Sequence, residues 1–115
     1  MSFSYKLELL ENIVIIYFKG RIFDKSEADE LYGELDTLIS VGKNKMIVDF
    51  SNIDYINSSG LNVLINLLNK SRDSYGELII CNIPEKVLKL IVTSKLENIF
   101  KIEDSKESAL QKIQS

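Results

Sequence analysis

Histidine and tryptophan are absent from this 115-residue chain, and cysteine and proline occur once each, as Cys81 and Pro84. Without imidazole, neither a Ser-His-Asp nor a Cys-His nucleophile can be built, and zinc sites with imidazole ligands are excluded as well. A lone cysteine cannot form an intrachain disulfide. It sits in the apolar run "ELIICNI", as a buried structural thiol would. There is no GK[ST] phosphate loop, no GxGxxG, and no Ser-x-x-Lys near Ser58 or Ser59, so a serine hydrolase with lysine as base has no local support. Charge of one sign is not in excess either: 14 basic against 17 acidic residues give a net −3. With no basic stripe, a nucleic-acid backbone is not an expected partner. No apolar run approaches the roughly 18–20 residues of a membrane span. The stretch 13–18 is too short and too strand-like for a signal peptide, and no small-residue cleavage site follows it. The expectation is a soluble, cytoplasmic protein that is not an enzyme.

What is present is a chain that is 45% hydrophobic, enough for one core, with no linker, repeat or low-complexity stretch. One domain over 1–115 is expected. "YKLELLENIVIIYFKG" reads as two strands joined at Glu11-Asn12, an antiparallel hairpin whose second strand is β-branched and aromatic. A helix follows, with Ala28, Leu31, Tyr32, Leu35, Leu38 and Ile39 on one face, Asp24 or Ser26 as cap and Gly42 as stop. "KMIVDF", 45–50, is a short strand, then a polar loop. The second helix spans about 60–73, with Leu61, Leu64, Ile65 and Leu68 inward and Asn62, Asn66, Asn69 and Lys70 in water. Gly76 leads into a strand at 77–83, and Pro84 suits the first turn of a third helix that buries Val87, Leu88, Ile91 and Val92. "NIFKIE" is a last strand, and Asp104 with Glu107 forms a capping-box-like start to a helix at 105–113.

The order is ββαβαβαβα: an α/β fold with a mixed sheet of 4–5 strands, parallel in its middle, packed against about four helices. Ser58, Ser59 and Gly60 fall between the third strand and the second helix, where the carboxyl ends of parallel strands commonly carry function. One cap needs one serine. Ser58 is expected as the cap, leaving Ser59 at the first helical position with its hydroxyl free. Gly60 removes a side chain beside that hydroxyl, so a large partner could approach. Asp24 is a helix cap, a partner contact, or both. Asp49 and Asp54 read as strand-end and turn residues, and Tyr55 as a half-buried loop packer or a contact aromatic.

The segment "KMIVDFSNIDYINSSGLNVLINLLNKSRDSYGELIICNIPEKVLKLI" resembles STAS-domain proteins of the anti-sigma factor antagonist family: strand, serine-glycine signature, amphipathic helix, next strand and helix. "FKGRIFD", 18–24, resembles that family's Gly-to-Asp segment before the first helix. The resemblance implies a switch. A serine protein kinase that is also an anti-sigma factor binds the unphosphorylated protein and phosphorylates the serine before the glycine, here Ser59; a metal-dependent serine phosphatase resets it. Asp24, Asn57, Ser58, Ser59, Gly60 and Asn62 would contact the partner. ATP and metals belong to those partners, so no cofactor is expected here. Two positions depart from the pattern: Asn57 stands where the family usually has Asp, and Lys95 where it often has Gly. A constitutive regulatory subunit of a lipid or anion transport complex, with Ser59 as contact surface only, is the alternative.

Overall fold

In the computed structural model, which describes residues 3–22 and 24–114, the β-branched run beginning at Ile13 lies inside a five-stranded sheet. The strands are β1 (Ser4–Leu10), β2 (Ile13–Ile22), β3 (Lys45–Ile56), β4 (Glu77–Cys81) and β5 (Lys101–Glu103), side by side in chain order. β1 pairs antiparallel with β2, and β2 to β5 are parallel. The helices are α1 (Asp29–Ser40), preceded by a 3-10 turn at Lys25–Ala28, then α2 (Ser58–Asp73), α3 (Glu85–Thr93) and α4 (Lys106–Gln114). The expected order ββαβαβαβα is the observed one, and the terminal helix makes four.

Chain order explains the layers. Parallel strands that step in one direction, each joined by a right-handed crossover, must send every crossover helix to the same face. α1, α2 and α3 accordingly share one core with Val14, Ile16 and Phe18 of β2, Met46, Val48 and Phe50 of β3, and Leu78 and Ile80 of β4. Only α4 lacks a crossover to make. It packs on the opposite face, where Ala109 and Ile113 meet Ile13, Ile15, Ile47, Ile79 and Cys81. The period-2 alternation of strand side chains feeds the two cores from alternate residues of the same strands.

Several local expectations are corrected. β3 does not end at 50. Residues 51–56, read as a polar loop, continue the strand because Ile53 and Ile56 are buried and the backbone pairs with an equally extended β2 (Lys19 with Asn52, Gly20 with Ile53, Ile22 with Ile56). The pairing shifts register between Tyr17 and Lys19 and again between Gly20 and Arg21, with Gly20 at φ +94. Such bulges let polar residues interrupt the alternation without ending the strand. Asp49 is therefore mid-strand and buried, not a strand end. It accepts from the Ser51 N–H (2.8 Å) and hydroxyl (2.7 Å) and from Asn82 Nδ2 (3.1 Å), which ties β3 to the loop after β4. Asp54 lies in the strand, exposed, rather than in a turn.

β4 stops at Cys81, two residues early, where Asn82 turns the chain at φ +55. α3 buries Val87 and Ile91, with Leu90 half-buried against the same core, and leaves Leu88 and Val92 exposed, because the helix is turned so that its i, i+3, i+4 face meets the sheet. Lys95 occupies the left-handed position that ends α3 (φ +60), a place that glycine suits. α4 is capped by Ser105, whose Oγ accepts from the Ser108 N–H at 3.1 Å, and not by Asp104.

Burial, reinforced by the nearby Asp49 carboxylate, pushes the Cys81 thiol up to about 12. A thiol held neutral in the fold but free to ionise when unfolded stabilises the native state below its ordinary value near 9, and that stability falls as pH rises from about 9 toward 12. Folded protein at neutral pH is expected to leave Cys81 unlabelled by a thiol reagent over the time in which denatured protein labels fully. Equal labelling rates would show the thiol to be accessible.

Candidate partner-binding site

Ile22 and Ile56 are paired at the last positions of β2 and β3, and both are buried. That pairing delivers two loops to one end of the sheet, with Asp24 two residues beyond β2 and Asn57 one residue beyond β3. The Asn57 N–H donates to the Ile22 carbonyl at 3.4 Å and fastens one loop to the other strand.

Asn57 also starts α2. Its backbone is extended (φ −106, ψ −166), and its side-chain oxygen accepts from the Gly60 N–H at 3.2 Å. Its carbonyl accepts from the Leu61 N–H at 3.2 Å. Ser58 is therefore not the cap. Asparagine is at least as strong a capping residue as serine, and here it takes the position one residue earlier. Ser58 and Ser59 become the first and second helical residues, Ser58 exposed and Ser59 half-buried. Among the described residues neither hydroxyl is committed to a hydrogen bond. Their backbone N–H groups lie in the first turn, where no intrahelical acceptor exists, and give that end partial positive charge.

Gly60 is buried and faces inward rather than toward a partner. A Cβ there would lie 2.6 Å from Ile56 Cβ and 3.5 Å from Ile22 Cβ. The glycine thus lets α2 sit directly on the ends of the two strands, which fixes where Ser59 emerges. Asn62 is exposed one turn further along the same side. Beyond it the helix is fastened to α1: Asn66 Nδ2 donates to the Tyr32 hydroxyl at 3.1 Å, and Lys70 pairs with Asp36 at 2.7 Å.

Asp24 caps the 3-10 turn. Its carboxylate accepts from the Ser26 N–H, and the Glu27 carboxylate accepts from the Asp24 N–H, both at 3.0 Å. Capping leaves the side chain exposed, and the 3-10 turn packs against α2. The structure thus gathers Asp24, Asn57, Ser58, Ser59 and Asn62 at one end of the molecule, with Gly60 beneath them. Phe23, in the Gly-to-Asp segment, lies outside the described residues.

Of the two readings of Tyr55, loop packer or contact aromatic, the first is corrected, and the groove beside it had no counterpart in the sequence. Tyr55 is 46% exposed, on a strand and not in a loop, and with Ile56, Lys86, Val87 and Leu90 it lines a groove of about 260 Å³ between the end of β3 and α3. Local spacing carries no strand signal here: Ile53 and Ile56 lie three apart and reach the same core only through the register shifts against β2. Among the described residues no group of three His, Cys, Asp or Glu side chains could hold a metal ion, and no helix is long and apolar enough to cross a membrane.

The STAS domain family matches residues 4–109. The chain belongs to that family. BtrV of Bordetella bronchiseptica, which bears the name of a candidate anti-sigma factor antagonist, is 26% identical to this STAS chain over 103 residues, 90% of this chain and 88% of BtrV. Two solved structures share the fold. A candidate anti-sigma factor antagonist of Thermotoga maritima superposes with a TM-score of 0.82 at 23% identity, covering 96% of this chain and 95% of that one. The phosphorylated form of SpoIIAA, a Bacillus cell fate determinant, does so with 0.74 at 18% identity, covering 96% and 99%.

Adding the missing Cβ at Gly60 must displace Ile56, a buried strand residue, so Gly60→Ala is expected to destabilise the STAS domain by about 1–3 kcal/mol. Asn57→Ala removes the cap and should cost about 0.5–2 kcal/mol. Urea unfolding measures both. A Gly60→Ala chain as stable as wild type would mean that α2 does not rest on the strand ends.

Proposed function

We propose that this STAS domain is an anti-sigma factor antagonist that works as a phosphorylation-controlled binding module. Unphosphorylated, it binds an anti-sigma factor that is also a serine protein kinase, through Asp24, Asn57, Ser58, Ser59 and Asn62, and so frees a sigma factor. Phosphorylation of Ser59 releases it, and a metal-dependent serine phosphatase restores the bound form. The chain acts by binding and not by catalysis; nucleotide and metal are brought by its partners.

The observation that carries this reading is the state of Ser59. Its hydroxyl is uncommitted at the second position of a helix whose cap is filled by a different residue. A phosphate there meets unsatisfied N–H groups and the positive end of α2. Family membership and the name of BtrV support the partner class, and the phosphorylated form of SpoIIAA supports the modification.

Asn57 favours a second reading. It fills the cap without the negative charge that the family usually places there. That suits a constitutive regulatory subunit of a lipid or anion transport complex, whose Ser59 is contact surface only.

Incubation with native lysate and ATP, followed by peptide mapping, separates the two. The phosphate is expected on Ser59. Phosphate on Ser58, or on neither serine, contradicts the switch. In the same assay Asp24→Ala is expected to lower partner capture while reducing stability by no more than the roughly 0.5–2 kcal/mol of a lost cap. Capture equal to wild type would leave Asp24 a cap alone.

A further inference from the structure

β1 is an edge strand: among the described residues nothing pairs with its outer side. It is seven residues long, with Leu9 48% and Leu10 38% exposed. A long, flat, partly apolar edge is a template for another strand. The question is which strand.

The hairpin fixes which backbone groups are on offer. Leu10 pairs with Ile13 across a two-residue turn, so those two exchange main-chain hydrogen bonds. Alternation along an antiparallel pair then turns the N–H and C=O of Ser4, Lys6, Glu8 and Leu10 toward β2, and those of Tyr5, Leu7 and Leu9 outward. An antiparallel strand must match its own outward groups to these three.

We infer that the occupant is β1 of a second copy of this chain, paired antiparallel about a two-fold axis at Leu7. In that register Leu7 bonds to Leu7 of the other copy, and Tyr5 bonds to its Leu9 in both directions. Every outward group of the three residues gains a partner. Lys6 then stands opposite Glu8 of the other copy, twice by symmetry, at the non-bonded positions where side chains come closest. The two neighbouring registers that also match outward groups place Lys6 against Lys6 or Glu8 against Glu8. The sequence Lys-Leu-Glu therefore selects one register and penalises its competitors. On the helical side, the other copy's Tyr5 would lie against Leu9, at the groove of about 420 Å³ lined by Leu7, Leu9, Glu34, Thr37 and Leu38. Because the contact is isologous it closes at two copies. It uses the sheet edge, so the serine end, two strands in, stays open.

Sedimentation equilibrium on the full chain tests this. Wild type is expected to dimerise in the micromolar range. Lys6→Glu and Glu8→Lys, each shown folded by circular dichroism, should each weaken self-association by about tenfold or more, since each sets like charges across the axis. Mixed together they should form a heterodimer, because both cross-strand pairs are then of opposite charge. Leu9→Pro removes one outward donor without touching a β1–β2 bond, and should abolish the dimer with no change of charge. A wild-type chain that stays monomeric at millimolar concentration overturns self-pairing and leaves the edge to a strand of another protein. A dimer that persists in all three variants, or a mixture that forms no heterodimer, overturns the register.

Discussion

The contact that the rest of the site depends on is the seating of α2 on the paired strand ends. Gly60 lies so close to Ile56 that no side chain fits between them, with Ile22 in van der Waals contact alongside. Both isoleucines are buried and are held together by the β2–β3 pairing. The helix start therefore cannot slide or tilt without opening the core beneath it. Everything at that end inherits its position from this contact. Asn57 is placed to cap, Ser58 and Ser59 to occupy the first turn, and Asn62 to follow one turn later. A switch residue needs such a foundation. A charge added to a loose loop can be accommodated by movement, whereas a charge added to a fixed helix start must be met by the partner as it stands.

On the proposed reading, this arrangement separates capping from recognition. Asn57 satisfies the Gly60 N–H, so neither serine hydroxyl is needed for folding. Asp24 and Glu27 close the 3-10 turn on the neighbouring loop in the same manner. Structural work at the site is thus done by side-chain oxygens on the flanks. The fold does not require Ser59 to keep its hydroxyl, which is the condition that the proposed switch sets.

Much of the fold was legible because its elements are strongly periodic. The β-branched run from Ile13, the apolar stripes of α1 and α2, and the turn at Glu11-Asn12 each had one physical reading, and their order implied parallel pairing. The errors fell where two readings compete locally. Residues 51–56 carry enough polar side chains to pass for a loop, and the bulges that keep them in β3 depend on the β2 backbone, which local periodicity does not encode. Asp49 looked like a strand end because a buried carboxylate is rare until Ser51 and Asn82 are seen to satisfy it. Leu88 and Val92 fit a helical stripe, but the rotation of α3 on the sheet decides which flank of that stripe is buried, and Leu90 takes that side. At the site, the residues expected together do share one end of the sheet, but their structural roles were displaced by one position. Asn57 capped where Ser58 was expected, and Gly60 served the core instead of clearing an approach.

In the proposed switch, Ser59 controls binding from a helix start whose fold does not depend on it. The direct measurement compares Ser59-phosphorylated with unmodified protein, by thermal melt and by titration with the proposed kinase partner. The phosphate adds about −1.5 to −2 charges at a helix N-terminus, which tolerates anions, so stability should shift by about 1 kcal/mol or less. Binding should weaken far more, because burying an unmatched dianion costs ~2–5 kcal/mol, roughly 30- to 4,000-fold in affinity. A melt lowered by tens of degrees would show that the switch acts by unfolding, and equal affinities would show that Ser59 is not a switch.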